Sequence, residues 1–102
     1  MTTDNTVAST ILQQLGGNRF IAMTGARDFV RGENYLQFKL NGRMTDDGIN
    51  LVVIRLEAND YYMIQFYRQR GINLTEIARK DFLSPQMLRD QFVSYTGLDI
   101  HL

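Results

Sequence analysis

Three stretches of this chain alternate apolar and polar residues with a period of two, and that pattern constrains the fold more than any other feature. Residues 35–40 put Leu36, Phe38 and Leu40 on one face and Tyr35, Gln37 and Lys39 on the other. Residues 50–57 turn Val52, Ile54 and Leu56 inward, and residues 61–68 do the same with Tyr62, Ile64 and Phe66. Successive side chains of a strand point to opposite sides of a sheet, so each stretch reads as a half-buried antiparallel strand. Ala58-Asn-Asp60 joins the last two and predicts a hairpin. Arg31-Gly-Glu-Asn34 reads as a turn, because Gly and Asn tolerate left-handed backbone. Residues 41–48 are polar, hold two glycines and Asp46-Asp47, and read as a loop.

Helices flank this sheet. Residues 4–15 carry Val7, Ala8, Ile11, Leu12 and Leu15 at three-four spacing, with Asp4 or Thr6 as N-cap and Gly16-Gly17 as the stop. Ser84 stands where an N-cap belongs and Pro85 at the first helical position, where its missing N–H costs nothing. Leu88, Phe92 and Tyr95 then recur at helical spacing until Gly97. Residues 19–25 alternate Phe20, Ala22 and Thr24 against Ile21, Met23 and Gly25, which reads as a strand that resumes at 28–30. The small residues at 22, 25 and 26 would let a neighbouring element approach closely. Residues 73–79 fit either an edge strand or the opening of a helix, and the strand is preferred. The expectation is one α+β domain over residues 1–102. Its antiparallel meander sheet has four or five strands, with an N-terminal and a C-terminal helix packed on one face.

Eleven basic and eleven acidic residues balance, which argues against a dedicated duplex DNA binder, whose affinity rests on neutralising phosphates. Nine of the eleven cations are Arg, with Lys39 and Lys80 the exceptions, and Arg favours stacked and forked contacts. The absence of cysteine removes disulfides and thiolate metal sites and fits a reducing cytoplasm. The polar start Met1-Thr-Thr-Asp-Asn-Thr lacks a secretory pattern. The longest apolar run, residues 51–54, is far short of the roughly 20 residues of a membrane span.

No constellation carries recognisable catalysis. The only histidine, His101, lies beside the C-terminus, where chains fray. Asp46 and Asp47 lack the alternating oxygen ligands of a calcium loop and read as solvated. Ser9, Ser84 and Ser94 have no base partner. Gly16-Gly17 stands in the order helix, glycines, strand, whereas a phosphate cradle runs strand, glycines, helix. The expectation is a non-enzyme with no cofactor and no metal.

The outward face of the sheet is the candidate site. It collects Tyr35, Gln37, Lys39, Leu51, Val53, Arg55, Tyr61, Met63, Gln65 and Tyr67. That is too apolar for a plain solvated face, and aromatics and Met beside Arg mark binding surfaces. The competing reading is that the 41–48 loop or a curling sheet covers it. As a protein interface, which could close as a homodimer, it would use Tyr35, Leu51, Val53, Arg55, Tyr61, Met63 and Tyr67. The alternative is single-stranded nucleic acid, with bases stacked on Tyr35, Tyr61 and Tyr67 and phosphates held by Lys39, Arg55, Arg68 and Arg70.

The run Leu15-Gly-Gly-Asn-Arg-Phe-Ile-Ala-Met-Thr-Gly-Ala26, followed by Phe29, resembles a family of short uncharacterised proteins encoded by bacteriophages and mobile elements. Phe38-Lys39-Leu40, the strand with Arg55, Tyr62 and the closing Thr96-Gly97-Leu98 extend the resemblance over most of the chain. It implies a bacterial cytoplasmic setting and an accessory role outside the virion, acting on host machinery or nucleic acid. It supplies no catalytic or ligand residue. The chain departs from the pattern over residues 73–83.

Overall fold

The computed structural model describes residues 6–98. Helices α1 (Thr6–Leu15) and α2 (Gly17–Thr24) lead into β1 (Arg27–Arg31), β2 (Tyr35–Lys39), β3 (Leu51–Leu56), β4 (Tyr62–Arg70) and β5 (Asn73–Leu83). Helix α3 (Leu88–Thr96) closes the order. The five strands form one antiparallel sheet in sequence order, β1-β2-β3-β4-β5. The α+β meander is therefore as expected, with the fifth strand present at the edge. Asp4 and His101 lie outside the described residues.

Register follows the alternation. Leu36 pairs with Ile54 and Ile54 with Ile64, while Phe38 pairs with Val52 and Val52 with Phe66. All six are fully buried and meet Ala8, Ile11 and Leu15 of α1, Phe20 of α2, and Leu88 and Phe92 of α3 in one core. Its centre is a cluster of rings: Phe20 lies edge-on to Phe38 at 5.5 Å and to Phe92 at 5.0 Å. Such pairs contribute about 0.5–1.5 kcal/mol beyond area burial. The β4–β5 hairpin turns at Gly71, whose φ of 60 suits the first position of a two-residue turn.

The 19–25 stretch is a correction. It is not a strand but part of α2, which ends at Thr24, so Gly16-Gly17 joins two helices instead of leading into the sheet. A window of seven residues fits both periods, since Phe20, Ile21 and Thr24 also stand at helical spacing. Phe20 and Thr24 are buried and Ile21 half-buried, while Ala22 and Met23 face solvent. The hydroxyl of Thr24 decides the ending. It donates to the Phe20 carbonyl at 2.7 Å and accepts the Ala26 N–H at 3.2 Å, with Gly25 in left-handed backbone between them. Helix α3 ends the same way: Thr96 donates to the Phe92 carbonyl at 2.7 Å and accepts from the Leu98 N–H at 3.2 Å, around left-handed Gly97. Both follow one pattern, Phe-x-x-x-Thr-Gly-apolar.

A second correction concerns Ser84. It stands at the N-cap position with Pro85 at the start of the turn, as expected, but its side chain makes no capping bond; its carbonyl accepts the Met87 N–H in a short 3-10 turn, Pro85–Met87, that precedes α3.

Candidate functional site

The strand register arranges the outward face in rows. One row runs Val30, Gln37, Val53, Gln65, Arg79 across all five strands. The next runs Arg27, Lys39, Leu51, Tyr67, Glu76. On the other side, Tyr35, Arg55 and Met63 stand opposite one another. Leu51, Val53 and Met63 form the apolar centre and are excluded from the main core. The surrounding side chains of Tyr35, Gln37, Lys39, Arg55, Gln65 and Tyr67 are half-buried, so the rim of this face reaches solvent. The 41–48 loop leaves it free: Asp46 lies against Gly97 at the end of α3, on the helical side.

The centre is recessed. Leu51, Val53 and Met63 are 7%, 8% and 8% exposed, with Lys39 and Tyr67 beside Leu51, Gln37 and Gln65 beside Val53, and Arg55 beside Met63 on the neighbouring strands.

The tyrosines behave differently from one another. The Arg55 guanidinium lies over the Tyr35 ring at 5.2 Å from its centroid. The same ring packs on the Gly32 backbone, where a Cβ would overlap it. Tyr35 therefore has little free ring for a base to stack on. Tyr61 is exposed and meets Phe82 edge-on at 6.0 Å. Tyr67 lies two rows away from Tyr35, next to Leu51.

The residues considered for nucleic acid do not share a surface. Lys39, Arg55 and Tyr67 are on the outward face, whereas Arg68 and Arg70 follow the inward parity of Phe66 near the hairpin tip. Arg68 donates to the Asp47 carbonyl at 3.3 Å, on the helical side.

Sequence reasoning missed Phe82. It is 68% exposed, has φ of 57 and sits in the irregular part of the β4–β5 pairing. Left-handed backbone is an outlier for a bulky residue. The register irregularity that puts it there is invisible in the alternation of the strand. Arg27 and Arg43 were missed as well; both line clefts at the end of the sheet.

Among the described residues no three His, Cys, Asp or Glu side chains come together as a metal site. No helix there is long and apolar enough to cross a membrane. Burial raises the pKa of Tyr62 on the inward side, away from the outward face. No protein-family model, no curated protein and no solved structure matches this chain.

Proposed function

We propose that the protein is a non-catalytic interaction module that binds a second copy of itself through the outward sheet face. The observation that carries the reading is an apolar centre of Leu51, Val53 and Met63 on a face that the main core does not use. Its surround of Tyr35, Tyr67, Gln37, Gln65 and Arg55 offers aromatic anchors and hydrogen-bonding groups, the mixture that concentrates binding energy.

Symmetry favours self-association. β3 is the middle of five strands. A two-fold axis along it would bring Leu51 and Val53 against their own counterparts, Gln37 against Gln65 of the second copy, and Tyr35 against Met63. Such an isologous contact closes at two subunits. Arg55 would also approach its counterpart, but its charge is already turned onto Tyr35. Zero formal net charge removes long-range repulsion between copies.

The resemblance of residues 15–29 places this module, as a proposal, among accessory proteins of phages or mobile elements in the bacterial cytoplasm. Sedimentation velocity over a dilution series tests the association. A weight-average coefficient that rises with concentration towards a dimer supports the reading; a constant monomer value overturns it.

A further inference from the structure

A second site lies at the end of the sheet. An open cleft of ≈ 610 Å³ runs between the end of α2 and the 41–44 segment, lined by Thr24, Gly25, Arg27, Arg43 and Asn50 among others. It adjoins a smaller one of ≈ 320 Å³ that shares Arg27, Leu40 and Asn50 and adds Lys39, Gln69 and Gly71. Ligand sites commonly fall in the range of roughly 300–1,000 Å³.

The charge of this lining is one-sided. In a chain with equal numbers of cations and carboxylates, the two clefts hold Arg27, Lys39 and Arg43 and no Asp or Glu. Among the described residues the single ion pair is Arg79 with Asp81, so none of these three cations has a carboxylate partner there. Arg27 and Lys39 also stand directly opposite each other across β1 and β2. Like charges in that position destabilise a strand pair unless an anion lies between them.

The floor is built to hold its shape. The Asn50 side chain donates to the Gln69 carbonyl at 2.8 Å and accepts the Gln69 N–H at 2.7 Å, tying the start of β3 to β4. Two carbonyls near the end of α2 are already occupied. Phe20 and Ile21 already accept from the Thr24 hydroxyl and the Gly25 N–H.

We infer that this end of the sheet binds a phosphate-bearing ligand, with Arg27 and Lys39 bracketing one phosphate and Arg43 reaching it or its neighbour. No aromatic residue lines either cleft, so the site grips phosphate and does not stack a base. Lys39 is common to this site and the outward face, where it pairs with Leu51, whereas Arg43 lies outside the strands of that face, so the double variant below leaves Lys39 and the apolar centre in place.

Nitrogen-15 amide spectra at low salt test it, with three probes: inorganic phosphate, a nucleoside monophosphate and a thymidine oligonucleotide. Saturable shifts confined to residues 25–27, 39–43 and 69–71 are expected with at least one probe. The double substitution Arg27→Gln with Arg43→Gln, at two exposed positions, should weaken that binding by about tenfold per cation removed. Tighter binding of the oligonucleotide, with log K falling by about 0.7 per phosphate held for each decade of salt, identifies a strand as the source. Equal affinity for the monophosphate identifies a free phosphate ester. Absence of shifts at those amides with all three probes overturns the inference, as does equal binding by the double variant.

Discussion

The Arg55 guanidinium covers the Tyr35 ring from the position directly opposite it across β2 and β3. The ring is also pressed on Gly32, in the turn before its own strand. A cation–π contact of this exposure is worth about 0.5–1 kcal/mol. It gives the outward face a fixed corner where a free tyrosine would move.

That corner predicts a non-additive pair of substitutions. Gly32→Ala places a methyl where the Tyr35 ring lies, so the ring must swing away from the turn and from Arg55, at a cost of about 0.5–1 kcal/mol, the worth of that contact. Tyr35→Ala removes the obstacle, so in that background Gly32→Ala should cost less than half as much. Urea unfolding of the four proteins in the cycle measures this, and equal costs in both backgrounds would contradict the packing described.

The two threonine endings should be equivalent in energy. Thr24→Val and Thr96→Val each strip the acceptor from a buried backbone N–H, of Ala26 and of Leu98, while preserving side-chain shape. Each should destabilise the fold by about 1–3 kcal/mol. Thermal unfolding checks it, and a change within error of zero for either would show that the hydroxyl bonds contribute nothing.

Those endings also explain what was legible in the chain. Alternation at 35–40, 50–57 and 61–68 announced the central strands and their inward residues, because one buried face demands period two. α2 was hidden because seven residues fit two periods. The signal that could have found it was the match between Phe20-x-x-x-Thr24-Gly25-Ala26 and Phe92-x-x-x-Thr96-Gly97-Leu98, the second of which reads readily as a helix end. The outward residues of β2, β3 and β4 followed from the same alternation, but the recess of Val53 depends on how long side chains fold over it. The pairing of Arg27 with Lys39 depends on a register shift within β1, between Arg27 and Val30. Alternation alone does not encode such a shift.

Tyr62 sets an alkaline limit. Burial disfavours its phenolate, so its folded pKa lies above the ordinary value of 10.0. The folded state therefore holds that proton more tightly than the unfolded chain does. Its contribution to stability is whole below pH 10.0 and is lost as pH rises from there through the folded pKa. Tyr62→Phe should lose less stability than the native protein over that alkaline range. Urea midpoints measured on both sides of pH 10.0 decide it, and parallel losses would assign the alkaline decline to other groups.

The most direct test of the outward face is the molar mass of the native chain and of Val53→Asp, measured by light scattering behind a sizing column. Gln65→Arg, one strand across on the same row, serves as a second variant at a half-buried position. Circular dichroism establishes that each variant keeps its fold. The account predicts twice the chain mass of 11.8 kDa for the native protein and a single chain mass for either folded variant. One chain mass for all three proteins, or a dimer that survives both substitutions, would contradict it.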